Sequence, residues 1–205
     1  SLNYDLIIVA RRCDLLEELK KMLEEKNESL IKLHKEKESL EMAAGAFPVF
    51  TFSHYSSGGT REDYQAVILF EQANQSFTAY QVAFPSCTCR DPIVNYYSVC
   101  YVELLNSRRN AEDAAIRDIS FRNNQGLYGD SNPNYYIAEY TEEYMHENFI
   151  DQLIGVTKAD FDDFTGYGSW VEAIDVDAIA GATVTTSNVQ SLLKSLFEYH
   201  TDKYY

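Results

Sequence analysis

The chain lacks a long apolar run, and it has few basic residues for its size. Runs such as Leu6–Ala10 are far shorter than the roughly 20 residues that a membrane-spanning helix requires. The 205 residues include 17 Lys and Arg against 32 Asp and Glu, which gives a net charge of −15. A chain this acidic repels phosphate backbones and shows no basic patch, so nucleic acid is not expected as a partner.

Several sequence motifs of catalytic sites are also absent. The chain has no Gly-X-Ser-X-Gly elbow, no phosphate loop that ends in Gly-Lys-Ser or Gly-Lys-Thr, and no Gly-X-Gly-X-X-Gly dinucleotide fingerprint. These absences argue against a serine hydrolase of that type, a P-loop nucleotidase and a Rossmann dehydrogenase.

Cysteine is scarce, with Cys13, Cys87, Cys89 and Cys100 as the only four. The Cys-X-Cys spacing of Cys87 and Cys89 differs from the spacing of zinc ribbons, and no second pair with histidines follows, so no metal site is expected. Prolines flank this pair on both sides, which predicts a connection rather than a strand. In an extracytoplasmic protein one disulfide among the four fits, and their even number permits two.

The composition is that of a folded protein, with 45% hydrophobic and 14% aromatic residues. We expect an N-terminal extension over residues 1–46 and a main domain over residues 47–205. The extension begins with a short strand at Asp5–Ala10 and continues as a long charged helix over residues 14–44. Apolar residues repeat along this helix at alternating three and four spacing, interrupted by Lys26 and Lys37, which resembles a heptad pattern. One hypothesis makes this helix a structural stalk.

Hydrophobic periodicity in the main domain predicts an α+β fold with an antiparallel sheet. Alternating or apolar segments predict strands at 49–52, 64–70, 77–84 and 93–105, and the second and third should form a hairpin. A short helix is predicted around 111–118. A further helix is predicted to begin at Thr141 and to end at Gly155, with Met145, Phe149 and Leu153 on its apolar face.

The last third of the chain contains the candidate site. An apolar alternating segment, Trp170–Val176, predicts a strand that leads through a tight turn into a helix with apolar positions 189, 192, 193, 196 and 197. Thr185, Thr186 and Ser187 are predicted at the helix N-cap, close to Gly181, which permits close approach of a ligand. Free N–H groups and hydroxyls at a helix start suit a phosphate, although most such caps bind nothing.

Residues 177–187, which read DAIAGATVTTS, resemble the signature of the FMN-binding domain family. This family includes the extracytoplasmic flavin subunits of the Rnf and sodium-pumping NADH:quinone oxidoreductase complexes. In the family, FMN is joined through its phosphate to the last threonine of a Gly-Ala-Thr motif. Matched position by position, the resemblance implies Thr183 as the acceptor, Gly181 and Ala182 as points of close backbone approach, and Asp177 as a group that serves attachment.

The chain departs from the family pattern at two places. Ala180 stands where the family usually has Ser or Thr, so covalent and non-covalent FMN both stay open as alternatives. The Glu-Thr-Pro-Gly-like loop of the family has no recognisable counterpart. The resemblance therefore covers the last third of the chain well and its middle loosely.

The resemblance implies an electron-transfer flavoprotein rather than a stand-alone catalyst. It implies a redox partner protein or membrane complex, a flavin-transferring enzyme, an extracytoplasmic location, and membrane attachment only through a segment that precedes Ser1. Between Glu139 and Asp177 eleven acidic residues face the single Lys158, which predicts a solvated face or a docking surface for a basic redox partner. The alternative is a flavin-free secreted binding module that keeps the fold.

Overall fold

The computed structural model describes residues 47–90, 94–106, 110–122, 141–174 and 183–205, together with Lys21. The chain divides into two compact units, Ser1–Phe47 and Pro48–Tyr205, and the second is the one described below. The strand predicted at Asp5–Ala10 lies outside the described residues, and so does the helix predicted over 14–44 except for Lys21. Within the described ranges no helix combines the length and the apolar character needed to cross a membrane.

A five-stranded antiparallel sheet forms the centre of the second unit. Each strand is hydrogen-bonded to the strand that precedes it, so the sheet is a meander in the order β1-β2-β3-β4-β5. The strands are β1 Val49–Tyr55, β2 Arg61–Ala73, β3 Phe77–Arg90, β4 Val94–Leu105 and β5 Ala115–Arg122. The predicted hairpin of β2 and β3 is confirmed, and so is the α+β class.

The helix predicted around 111–118 is wrong. Only Ala111–Asp113 is helical, as one 3₁₀ turn, and β5 begins at Ala115. The three-residue spacing of Ile116 and Ile119 imitates a helical pattern because β5 carries a bulge. Glu103 pairs with Asp118 and Leu104 pairs with Ile116, so one residue of β5 is left over. The bulge places both isoleucines on the buried face.

Three helical segments follow the sheet in the described part of this unit. Helix α1, Glu142–Met145, continues through a π-helical turn at His146–Ile150 and a 3₁₀ turn at Asp151–Leu153. Helix α2 spans Lys158–Asp162, and helix α3 spans Thr183–Tyr204. The predicted limits of the first segment are confirmed: the Thr141 hydroxyl oxygen accepts the N–H of Tyr144 at 3.1 Å, and Gly155 ends the segment with φ of +91°.

The hydrophobic core lies between one face of the sheet and the helices. Helix α3 lies across β1 and β3, and its apolar positions 189, 192, 193, 196 and 197 are all buried, as predicted. Met145, Phe149 and Leu153 of the α1 segment are fully buried as well, so its apolar face belongs to the core. Full burial of one large apolar side chain contributes about 1.5–3 kcal/mol. Helix α3 therefore contributes five buried apolar side chains to the core.

Candidate functional site at the start of helix α3

One end of the sheet meets the beginning of α3. Because neighbouring strands are antiparallel, β1, β3 and β5 all finish at this end, and β2 and β4 begin there. Asn188, in the second turn of α3, hydrogen-bonds to backbone groups of Tyr55 and Ser86 near the ends of β1 and β3. The fold therefore brings the start of α3 to the place where several connections of the sheet converge.

Some of the predicted site residues are described by the structure and others are not. Asp177, Gly181 and Ala182 lie outside the described residues. Thr183 is the first residue of α3, and its side chain is partly exposed.

The N-cap prediction for Thr185, Thr186 and Ser187 is wrong, because α3 begins before them, at Thr183. Their side chains are buried, with exposed fractions of 6%, 1% and 1%. They lie inside the first two turns, where they face the protein. Thr183, which is partly exposed, is therefore more accessible than these three residues.

Asn188 is a central polar contact of this region, and the sequence reasoning missed it. Its Oδ1 accepts the N–H of Tyr55 at 2.6 Å, and its Nδ2 donates to the C=O of Tyr55 and to the C=O of Ser86, both at 3.0 Å. The side chain is fully buried, so these bonds replace the water that the amide has lost. The signal was present: Asn188 lies four residues before Leu192, on the buried stripe of the helix.

Two further side chains of α3 hold the segment that precedes the signature. The Oε1 of Gln190 accepts the N–H of Val171 at 3.0 Å, and the Oγ of Ser187 accepts the N–H of Gly168 at 3.1 Å. The strand predicted at Trp170–Val176 is wrong for its described part, residues 170–174, which form a turn. The reason is that the N–H of Val171 pairs with a helix side chain, and its C=O accepts the N–H of Ile174 at 3.2 Å.

Glycines and aromatic rings pack closely beside the helix start. Tyr55 and Tyr167 have ring centroids 6.3 Å apart. A Cβ atom at Gly166 would lie 2.5 Å from the Tyr55 hydroxyl, and Gly166 has φ of +126°, so this position requires glycine. A Cβ atom at Gly168 would lie 3.8 Å from Cγ2 of Thr183, which places this loop directly beside the predicted acceptor.

His54 of β1 is buried close to this region, with 1% of its surface exposed. Its Nε2 finds no hydrogen-bond partner in the described part of the chain, and its ring lies 4.7 Å from that of Tyr64. Burial lowers the pKa of His54 to about 4, although the negative charge of Glu62 acts in the opposite direction. The imidazole is therefore neutral at pH 7.

The cysteines differ from the prediction in their location. Cys87 lies within β3 rather than in a connection, because bulges on both sides of it let the strand continue past Pro85. It is buried and disulfide-bonded. Cys100 of β4 is a buried free thiol whose pKa is raised by burial, so two disulfides within the chain are excluded. Over the described ranges no three His, Cys, Asp or Glu side chains gather as a metal site would require.

Comparisons with known proteins add no identification. No family model, no curated protein and no solved structure matches the chain. The resemblance to the FMN-binding signature thus stays a hypothesis, which is carried by residues 177–187 and by the described surroundings of Thr183.

Proposed function

We propose that this chain is an electron-transfer flavoprotein with an FMN-binding-domain-like fold, and that it carries FMN attached through its phosphate to Thr183. The observation that supports the proposal best is the place of Thr183. The residue that matches the acceptor of the signature is the first residue of a 22-residue helix, and its side chain is partly exposed. The first N–H groups of a helix have no partner within the helix, and they attract phosphate together with the helix dipole.

The surroundings of Thr183 fit an attached phosphate. The Gly168 backbone passes beside the threonine without a side chain, and Ser187 fixes this loop through the 3.1 Å bond to the Gly168 N–H. Ser187 thereby holds the loop beside Thr183 in place. Contact of Thr185, Thr186 or Ser187 with the phosphate stays a prediction. In the proposal Gly181 and Ala182 permit close backbone approach, and Asp177 orients the threonine hydroxyl or a metal on the incoming flavin nucleotide.

In this proposal the cofactor and the chain have different roles. FMN, when bound, supplies one- or two-electron transfer. In the attachment step the Thr183 oxygen would bond to the flavin-side phosphorus of a flavin dinucleotide and lose its proton, while the phosphoanhydride bond breaks and a nucleoside monophosphate leaves. The chain would also supply the helix start that holds the phosphate and the packed loop around Gly168 beside it. Without Ser or Thr at position 180 attachment is expected to be less efficient, and non-covalent FMN is the alternative state.

The proposed partners are a flavin-transferring enzyme and a redox protein or membrane complex outside the cytoplasm. The disulfide bond of Cys87 supports an oxidising compartment. An acidic surface for a basic redox partner is supported by exposed carboxylates on and around α1 and α2: Glu142, Glu143, Glu147, Asp151, Asp162 and Asp163. Association through such a surface should weaken as salt concentration rises.

The deciding experiment is flavin fluorescence of the denatured chain after co-expression with a flavin-transferring enzyme. The parent chain should give a fluorescent band whose intact mass has increased by one FMN less one water. Thr183→Ala should be dark, while Thr201→Ala, a threonine near the other end of the same helix, should stay fluorescent. Fluorescence that survives denaturation in Thr183→Ala would refute Thr183 as the acceptor.

A second variant tests position 180, where the chain departs from the family signature. Ala180→Ser restores the hydroxyl that the family usually has at this position, and we expect it to raise the fraction of chains that carry flavin. The measurement is the ratio of flavin absorbance to protein absorbance in the denatured sample. An unchanged ratio would show that a hydroxyl at position 180 does not limit attachment.

The alternative function is a flavin-free binding module of the same fold. Ala180 and the missing mid-domain loop favour it in the sequence, and a polar groove beside β1 favours it in the structure. A parent chain that unfolds cooperatively but stays dark after co-expression, and that does not bind added FMN in a fluorescence-quenching titration, would favour this alternative.

A further inference from the structure

β1 is an edge strand of the described sheet, and its outer side borders a groove. The strand order leaves this side of β1 without a neighbouring strand among the described residues. The groove has a volume of about 370 Å³ and is lined by Thr51 and Ser53 of β1, by Ser191 and Ser195 of α3, and by the segment 164–165.

The hydrogen-bond register shows which backbone groups of β1 point outward. The N–H of Ser56 donates to the C=O of Thr60 at 2.9 Å, so Ser56 and Thr60 form a hydrogen-bonded pair. With the register of β1 and β2, the same holds for every second residue before Ser56, which are His54, Phe52 and Phe50. In an antiparallel ladder the residues in between direct their N–H and C=O away from the partner strand. Thr51, Ser53 and Tyr55 therefore present these groups to the outer side of β1.

One of the three outward positions is filled by a side chain that imitates a peptide group. Asn188 accepts the N–H of Tyr55 at 2.6 Å and donates to the C=O of Tyr55 at 3.0 Å. A residue of a neighbouring antiparallel strand would make the same two bonds. At the next outward positions, Ser53 and Thr51, no described residue bonds the backbone N–H or C=O.

We propose that this groove binds an extended polypeptide segment of a partner protein, which adds to the outer edge of β1 next to Asn188. Donors and acceptors that repeat every second residue along Ser53 and Thr51 match a peptide backbone. The small side chains of Ser191 and Ser195 leave room for the peptide side chains that point toward α3. This peptide site is independent of any flavin at Thr183.

The charges around the groove indicate the chemistry of the segment. The lining carries two cationic and two anionic side chains, Arg61, Lys194, Asp63 and Glu198. Arg61 and Asp63 lie 3.6 Å apart, and Nζ of Lys194 donates to the C=O of Phe164 at 3.2 Å. Because the opposite charges balance, the segment has uncharged polar or small apolar side chains rather than a run of one charge.

Two substitutions at one position test the role of the backbone. Thr51→Pro removes the outward N–H, and it leaves the bonds between β1 and β2 in place because this N–H points away from β2. Thr51→Val keeps the N–H and nearly the same side-chain shape, so it is the matched control. Ser195→Arg fills the groove from α3 without a change in β1, and it serves as the second variant if Thr51→Pro unfolds.

The probe is a library of phage-displayed random heptapeptides, selected on the parent chain and followed by fluorescence anisotropy of the enriched peptides. We expect Thr51→Pro and Ser195→Arg to weaken binding about tenfold or more, and Thr51→Val to change it less than about twofold. Circular dichroism confirms that each variant is folded. Absence of enrichment over protein-free beads, or equal binding by the parent and Ser195→Arg, would overturn the proposal. Self-association of the parent in sedimentation that Thr51→Pro abolishes would assign the edge to a second copy and would also overturn it.

Discussion

The two ends of helix α3 are both fixed by polar side chains, but they use different chemistry. At the N-terminal end Ser187, Asn188 and Gln190 hydrogen-bond to backbone groups of β1, β3 and the loop around Gly168. These bonds involve neutral groups, and their partners are far away in the sequence. The N-terminal end therefore organises the backbone around the helix start, and Thr183 stays partly exposed beside it.

At the C-terminal end a carboxylate of the sheet gathers three donors, beside the 2.8 Å hydrogen bond between the Tyr80 hydroxyl and Nδ1 of His200. Glu71 of β2 accepts hydrogen bonds from Nζ of Lys203 at 2.8 Å and from the hydroxyl of Tyr199 at 3.0 Å, and it also accepts one from the hydroxyl of Tyr204. Burial alone would raise the pKa of Glu71, but the bonds from Lys203 and the two tyrosines outweigh it and lower this pKa. Burial, together with the hydrogen bond that its hydroxyl donates to Glu71, raises the pKa of Tyr204 to about 12.

The polar groups at the two ends of α3 differ in how far they are already engaged by other residues. The oxygens of Glu71 are engaged by its three donors, so the C-terminal end serves stability. The N-terminal end begins with the partly exposed Thr183, and Ser187 fixes the Gly168 loop that lies beside it. We therefore propose the N-terminal end, rather than the C-terminal end, as the place of FMN attachment.

Acid should destabilise both ends, and this is the largest effect that we expect. Burial lowers the pKa of His54, near the N-terminal end, and of His200, near the C-terminal end, to about 4. In the unfolded chain both have the ordinary value of about 6.5, so between pH 6.5 and pH 4 the unfolded state binds more protons. Stability is then complete above pH 6.5 and falls toward pH 4, by at most about 1.4 kcal/mol per pH unit for each histidine.

The measurement is the free energy of unfolding in urea at pH 7, 6 and 5. His54→Phe and His200→Phe should each remove about half of the pH dependence, because each histidine acts independently at its own end. A parent chain whose stability is flat between pH 7 and pH 5 would contradict burial of two neutral imidazoles.

Asn188→Ala should be the most damaging of the substitutions that break the contacts of the helix ends. It leaves the N–H and C=O of Tyr55 and the C=O of Ser86 without their partner in a buried place, which costs about 2–4 kcal/mol. Gln190→Ala loses longer hydrogen bonds and should cost less. Urea unfolding at pH 7 measures both, and equal losses would mean that Asn188 has no special role.

Glu71→Gln tests the other end, with a smaller expected loss of about 1–2 kcal/mol, since the amide keeps one acceptor for the three donors. Lys203→Met removes only the ammonium group, whose side chain is 44% exposed, and it should cost less than about 1 kcal/mol. Thermal unfolding of both variants shows which one loses more stability. A larger loss for Lys203→Met would show that the ion pair, rather than the phenol bonds, holds this end.

Thr183→Ala should change the stability least, by less than about 0.5 kcal/mol, because the side chain is partly exposed and alanine favours helix. The same variant should lose covalent flavin, so stability and attachment separate at this residue. Urea unfolding of the flavin-free parent and variant measures the change in stability. A loss of several kcal/mol would give Thr183 a structural role that the described contacts do not show.

Much of the fold could be predicted because its signals are local. The apolar stripe of α3 from Val189 to Phe197 and the hairpin of β2 and β3 follow from residue periodicity. Thr141 and Gly155 mark the limits of one helical segment through N-capping and positive φ, which depend on the identity of single residues. The signature around Thr183 is likewise visible in the sequence as a run of residues.

The other features depend on contacts between distant residues. In β5 a bulge opposite β4 places Ile116 and Ile119 on the same face, so a three-residue spacing that looks helical belongs to a strand. Helix α3 begins at Thr183 rather than after it, and the bonds to Asn188 join residues that are 133 and 102 positions apart. The sequence by itself determined periodicity, charge and the candidate acceptor. Only the tertiary structure decided which side chains are buried, which backbone groups Asn188 binds and which side of β1 has no neighbouring strand among the described residues. The reason is that these properties depend on which distant elements meet.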